Sequence, residues 1–319
     1  MQPDVSFVIA AYNAEACISQ AIESALAQRG VSVEVIVVDD CSSDRTVEIA
    51  RAFAPRQVTV VALPCNRGPG GARNAGFDTA TGRWIAVLDS DDSIHPDRMR
   101  RMIDRANTAG AQIAVDNLEV VENAAAPQTM FDEAFLEARP ELHLADFIDG
   151  NIMFQGRFSF GYVKPIFRRD FLERHALRYD EALRIGEDYI LLASALAAGG
   201  RCAVEPRAGY RYHIRRGSLS RVLELHHVEA MLAADDAFRR AYRLEPQAQA
   251  ALARRTKSLR RAASFLLLVR HLKDRAPLRA AGTALRDPAA LRHLSMPIMV
   301  RLRRLAAAFH PAASRLKTN

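Results

Sequence analysis

The chain has 319 residues, 49% hydrophobic and 25% charged, which fits one large or two smaller soluble globular domains and excludes a disordered or fibrous chain. Charge is unevenly spread: residues 1–221 carry 25 Lys and Arg against 30 Asp and Glu, a net −5, while residues 222–319 carry 19 against 7, a net +12. The start of the chain lacks a basic, then long apolar leader, and no apolar run approaches the roughly 20 residues of a membrane span, so export and membrane crossing are not expected.

Val5 to Ala10 is a continuous apolar run that predicts a strand, and Ile18, Ala21, Ile22, Ala25 and Leu26 then repeat at helical spacing. Val33 to Val38 repeats the strand signal. Ser42, Ser43 and Asp44 offer N-caps for a helix to about Phe53, and Val58 to Leu63 reads as a third strand. A turn-rich Asn66-Arg67-Gly68-Pro69-Gly70-Gly71 precedes a short helix near Ala72 to Ala80, a strand from Trp84 to Leu88 and a helix from about Pro96 to Ala109. Repeated strand–helix units predict a doubly wound α/β domain with a mostly parallel sheet. Residues 117–160 show no clear period. The four cysteines, Cys17, Cys41, Cys65 and Cys202, have no metal or disulfide spacing and read as buried small hydrophobes in a reducing cytoplasm.

Two acid clusters fall where open α/β sheets place ligands, at the carboxyl ends of strands: Asp39-Asp40 and Asp89-Ser90-Asp91-Asp92. Three carboxylates crowded behind Leu88 call for a compensating cation, and hard oxygen ligands suit Mg²⁺ or Mn²⁺ bridging to a phosphorylated substrate. A solvated turn with an Asp helix cap fits the same four residues about as well. No G-x-G-x-x-G follows the first strand, where Ala10-Ala11-Tyr12-Asn13 stands instead, so a nicotinamide oxidoreductase is disfavoured. Gly68 to Gly71 lacks the Lys-Ser/Thr of a P-loop and serves equally well as a turn or a phosphate contact.

Together, Val8-Ile9-Ala10-Ala11-Tyr12-Asn13, Val37 to Asp44, Gly71-Ala72-Arg73-Asn74-Ala75-Gly76 and Leu88 to Asp92 resemble the pattern of glycosyltransferase family 2, in its order and spacing. Gly186-Glu187-Asp188-Tyr189 resembles the family's Glu-Asp block. The resemblance covers about residues 4–221 and is nearest to bacterial exopolysaccharide transferases of the succinoglycan type. It implies a GT-A fold over residues 1–221, with residues 222–319 as a basic α-helical extension. It also implies transfer of sugar, with inversion, from a nucleotide-sugar, by preference a UDP-sugar, to a saccharide or lipid-linked acceptor. By motif position Tyr12 and Asp40 contact the base with Ala10 lending backbone and Asn13 joining the nucleotide-sugar site, Arg73 supports that pocket or reaches the phosphates, Asp89 holds the ribose or a metal-bound water, and Asp91 and Asp92 serve the ribose and the metal. Asp91 and Asp92, with His213, become candidate ligands of the Mn²⁺ or Mg²⁺ ion. Asp188 becomes the base, because inversion needs a carboxylate to take the acceptor hydroxyl's proton, and Glu187 positions it or binds acceptor. Arg215 and Arg216 suit a diphosphate through their guanidinium forks.

Phe158, Phe160, Tyr162 and Lys164 interleave aromatic and basic groups, which suits either an acceptor surface or a half-buried strand. In the tail, Leu259, Ala262, Ala263 and Leu266 share a helix face opposite Arg254, Lys257 and Arg261, and Ile298, Leu302, Leu305 and Phe309 form a stripe beside Arg301, Arg303 and Arg304. Such helices fit the anionic inner face of the cytoplasmic membrane, or packing on the catalytic domain with a solvated basic face, equally well. Nucleic acid is not expected as a partner. A non-catalytic assembly partner with the same fold is the rival reading, with a nucleotidyltransferase third; neither accounts for a full set of candidate acids including the Glu-Asp block.

Overall fold

A computed structural model describes residues 2–122, 126–153, 159–214, 223–288 and 291. Arg215, Arg216, Phe158 and the stripe at 298–309 lie outside the described residues. The chain runs β1 (Val5–Ala11), α1 (Ile18–Leu26), β2 (Val33–Asp39), α2 (Thr46–Arg51), β3 (Val58–Ala62), α3 (Gly68–Thr79), β4 (Trp84–Val87), β5 (Ser93–Ile94) and α4 (Arg98–Ala109). It continues through β6 (Ile113–Val121), β7 (Gln128–Thr129), α5 (Glu133–Glu137), α6 (Leu144–Asp149), β8 (Ile166–Arg168), α7 (Arg169–Arg174), α8 (Glu187–Ala197) and β9 (Cys202–His213). Three helices follow: α9 (Leu225–Ala241), α10 (Pro246–Lys273) and α11 (Pro277–Arg286).

One sheet has the order β3-β2-β1-β4-β8-β6-β9-β5, with β7 appended to β6. The first four strands are parallel, as the strand–helix alternation predicts, whereas β8 is antiparallel to both β4 and β6. That inserted strand has a consequence for the site. Ala86 pairs with Ile166, so continuing the register carries Lys164 alongside the Leu88 end of β4. The long β9 runs parallel to β6 past an irregularity at Asp116–Leu118, then pairs antiparallel with β5, which brings Tyr210 and His213 beside Asp92.

The core follows the strand runs: Phe7, Val8, Ile9, Val35 to Val38 and Trp84 to Leu88 are all buried. Helix α3 lies close on β1 because Gly76 lacks a side chain; a Cβ there would stand 2.2 Å from Val8 Cγ1. The same helix starts at Gly68, earlier than the glycine-rich stretch suggests. The reason is remote: the Asp40 carboxylate accepts from Arg67 N–H at 2.6 Å and Gly68 N–H at 2.8 Å, satisfying donors that a helix start leaves open. Helix α2 is shorter than its caps suggest, and Asp44 ties Thr46 N–H to Glu15 N–H instead of extending the helix. Among the described residues, the period-free stretch after residue 117 holds the short β7, α5 and α6 and half of β6, each too brief to print a period. Cys202 is buried, but Cys41 and Cys65 are exposed, because both stand in loops beyond β2 and β3.

The core does not stop at residue 221. Phe238, Leu244, Ala248, Ala251 and Leu252 join the main cluster, while Leu259 and Ala262 meet Val228 and Met231 in a smaller one. No helix among the described residues is long and apolar enough to cross a membrane.

Candidate active site

The acids named from sequence follow β2 and β4 at their carboxyl ends, and Asp89, after β4, meets the first turn of α8 through shared cations. Gly186 enters α8 at φ 92°, a left-handed cap that a side chain would strain, and places Glu187 and Asp188 in the first turn, where the helix dipole favours acids. Arg73 reaches them from α3. Its Nη1 donates to Glu187 Oε1 at 2.8 Å and Asp188 Oδ1 at 2.9 Å, and its Nη2 to Asp89 Oδ1 at 2.7 Å. The guanidinium also lies 5.2 Å from the Tyr179 ring centroid.

A second cation completes the arrangement. Lys164 Nζ sits 2.8 Å from both Asp188 Oδ2 and Asp89 Oδ2, so each of those carboxylates is held by one oxygen to Arg73 and by the other to Lys164. Burial works against ionised Asp89, yet Lys164 and Arg73 hold its carboxyl well below the usual range. Burial likewise opposes the charge on Lys164, but Asp188 and Asp89 keep it protonated far above the ordinary lysine value. For Glu187, burial and then Asp188 push the carboxyl up, with Arg73 offsetting only part. Asp89 and Asp188 keep 25% and 18% of their side-chain surface accessible, so they line the open side, while Arg73 at 6% and Lys164 at 9% stand behind them. Two cations face three carboxylates, and the open face is left acidic.

Asp91 is half-buried and Asp92 buried. Asp92 accepts from Tyr210 Oη–H at 2.8 Å and from His213 N–H at 2.8 Å. Burial, then repulsion from Asp89 and Asp91, pushes its carboxyl well above the ordinary range, which is the charge excess that a cation would relieve. His213 Nε2 lies 3.1 Å from Ser93 Oγ. Among the described residues no three His, Cys, Asp or Glu side chains converge as a ready-made metal cluster. The oxygen donors at Asp91 and Asp92 are of the kind that suits a hard cation.

At the other acid pair, Asp39 Oδ2 accepts from Ser42 N–H at 3.0 Å, and its buried Oδ1 has no hydrogen-bond partner. Burial is the main influence raising the Asp40 carboxyl, opposed by the Arg67 and Gly68 amides. Tyr12 is 55% exposed at the end of β1 beside half-buried Ala10. Exposed Asn13, at φ 50°, ties the β1 and β2 loops: its N–H donates to Ser42 Oγ at 2.9 Å and its Oδ1 accepts from Ser43 N–H at 2.9 Å. The structure thus brings Asp89, Arg73, Glu187 and Asp188 into direct contact, leaves Tyr12 open to a ligand, and uses Asn13 and Asp40 to shape loops.

The family model "Glycosyl transferase family 2" matches residues 6–171, more than half of the chain. Succinoglycan biosynthesis protein ExoO of Rhizobium meliloti is 62% identical over 312 residues, covering 98% of this chain and 90% of that protein. The chain belongs to glycosyltransferase family 2. Succinoglycan biosynthesis protein ExoU of the same organism is 35% identical, over 90% of this chain and 84% of its own length. In fold, the chain is similar to Staphylococcus aureus TarS in complex with UDP-GlcNAc, with a TM-score of 0.64 at 20% identity, covering 90% of this chain and 92% of that one. It is also similar to the Pyrobaculum calidifontis mannosyltransferase in complex with GDP-Man and Mn²⁺, with a TM-score of 0.61 at 17% identity over 95% and 81%. The architecture is the GT-A fold of this family, and the protein is a glycosyltransferase.

Lys164 holds a place at this edge that its sequence context does not give. Its alternation with Phe160 and Tyr162 suggests an acceptor surface or a half-buried strand, and only the antiparallel insertion of β8 sets it against Asp89 and Asp188. Tyr210 was equally silent; it lies in a β-rich run, and the signal that could have found it is the position of β9 beside β5.

Proposed function

We propose that this glycosyltransferase transfers a sugar with inversion from a nucleotide-sugar, preferably a UDP-sugar, to a saccharide or lipid-linked saccharide during exopolysaccharide assembly. Its similarity to two succinoglycan biosynthesis proteins supports that pathway class, and the carboxylate of Asp188, partly accessible and sharing Arg73 and Lys164 with Asp89, carries the chemistry. Residues 1–221 supply the donor and acceptor surfaces.

The donor's base stacks on or beside Tyr12 and meets Asp40 and the backbone of Ala10, with Asn13 holding that loop. Asp89 and Asp91 take the ribose hydroxyls. Arg73 lies behind Asp89 on the phosphate side, and Arg215 and Arg216 supply forks for the diphosphate. Asp91 and Asp92, with His213, are the residues for Mn²⁺ or Mg²⁺, which when bound supplies charge compensation for the departing diphosphate. Asp188 removes the acceptor hydroxyl's proton as that oxygen attacks the anomeric carbon from the face opposite the diphosphate. Arg73 and Lys164 hold one oxygen of Asp188 each and so orient it, while Glu187, pushed toward its neutral form, stands ready to hydrogen-bond an acceptor hydroxyl.

The basic helices supply the second surface. Helix α11 packs through Ala280, while Leu278 and Leu285, two turns apart, are 88% and 82% exposed beside Arg279 and Arg286. That face suits the anionic inner leaflet where a lipid-linked acceptor would be met.

Asp188→Asn tests the central assignment, since it preserves size and removes the basic oxygen. Acceptor-dependent UDP release should fall by roughly 10² or more while UDP affinity persists. Near-normal turnover, or a product with retained anomeric configuration by NMR, would remove Asp188 as the base of an inverting displacement.

A further inference from the structure

The turn that carries Glu187 and Asp188 is gripped from the C-terminal helices. Met231 of α9 packs on Gly186, its Cε 3.2 Å from where a Cβ would stand. Tyr189, immediately after the base, is buried; Phe147 of α6 stacks on it at 5.4 Å and 15°, and the Arg255 guanidinium of α10 lies 3.6 Å from its centroid. Arg255 is itself fixed. Its Nε donates to Asp235 of α9 at 3.1 Å, and its Nη1 to the Asn151 carbonyl at 2.8 Å. Asn151 Nδ2 in turn donates to the Phe147 carbonyl at 2.7 Å. One buried guanidinium therefore joins the base-bearing helix, the segment just after α6, and the helices α9 and α10.

An ion pair this deeply buried, with side-chain exposures of 5% and 2%, is a poor device for stability, because desolvation consumes most of the attraction. What it does supply is direction: a planar fork can meet a carboxylate, a carbonyl and an aromatic face together, which an apolar side chain or a lysine cannot. We propose that Arg255, held by Asp235, is a positioning residue that sets the orientation of Asp188 through Tyr189 and the Asn151 segment. The catalytic unit then extends through α10, and the tail's first two helices are part of it. This rests on the reading of Asp188 as the base.

The test compares Arg255→Lys, Arg255→Met with Asp235→Leu, and Asp188→Asn, each alone and combined, in the full chain. Two readouts are taken: UDP affinity by calorimetry in the presence of Mn²⁺, and kcat, KM and the pH profile of UDP release from a UDP-sugar that the unaltered protein turns over. The paired apolar replacement avoids stranding a buried charge, so UDP affinity should stay within about twofold while kcat falls about tenfold to a hundredfold, as small misplacements of a reacting group do. Arg255→Lys should recover little, and the acidic limb of the pH profile should shift. In the Asp188→Asn background the paired replacement should cost nothing further, because its effect runs through Asp188. Unchanged kcat in the paired replacement, or a full additive loss on top of Asp188→Asn, would overturn the proposal. Near-normal turnover in Asp188→Asn alone fails the base assignment first, and the positioning role falls with it.

Discussion

The two acid clusters at the sheet edge look alike in sequence, each a strand running into adjacent aspartates, but the protein neutralises them by different means. Asp39 and Asp40 are met by backbone amides of Ser42, Arg67 and Gly68, so their charge builds loops and starts a helix. Asp89 is met by side-chain cations drawn from elsewhere, Arg73 on α3 and Lys164 before β8, which also clasp Asp188. Backbone donors give a fixed loop that can present a base pocket. Side-chain cations instead tie α3 and the segment before β8 to α8 through shared carboxylates. The lesson is that the counter-ion, more than the acid, distinguishes an architectural carboxylate from one available for chemistry.

The contrast breaks most visibly at Lys164. Lys164→Met should strand two partly buried carboxylates on one remaining cation, costing about 3 kcal/mol or more and reducing turnover well beyond any change in UDP affinity. Thermal unfolding and steady-state kinetics check this. The pH dependence has a definite sign: Asp89 is held below its unfolded value of about 4, so its stabilisation is complete above that value and is lost as pH falls through the lower folded one. The melting-temperature gap between the unaltered protein and Lys164→Met should therefore hold steady from pH 7 to about 5 and narrow as pH drops below about 4. A gap independent of pH would detach Lys164 from Asp89.

Asp40→Ala probes the other cluster. It removes the acceptor for two amides at the start of α3 and should cost about 1–3 kcal/mol, with UDP and UDP-sugars weakened by similar factors. A loss confined to one sugar would place Asp40 away from the base. A step smaller, Asp91→Ala should abolish the Mn²⁺-dependent part of UDP binding with little change in melting temperature, since Asp91 is only half-buried; calorimetry with and without Mn²⁺ decides it. The smallest effect is expected on the outer face of α11. Leu278→Glu with Leu285→Glu should weaken co-sedimentation with anionic vesicles at low salt while leaving UDP affinity unchanged. Unaltered sedimentation would move any membrane contact elsewhere.

The alternation of strands and helices through residue 109 can be read from the residues alone, because buried parallel strands must be apolar along their whole length and their helices must keep one apolar face. So can the acids that stand at the sheet edge, since a carboxylate after a buried strand has nowhere else to go. The period-free stretch from residue 117 onward was illegible for a physical reason: its elements are shorter than one or two periods and are fixed by pairing with β6 and β9. How those acids are balanced depends on the folded arrangement. Lys164 is a lone lysine until antiparallel β8 slides in beside β4, and Arg255 is one of many tail arginines until α10 lays it on Tyr189. Both depend on contacts between residues far apart in the chain, and burial against a specific partner leaves no local pattern for a sequence to display.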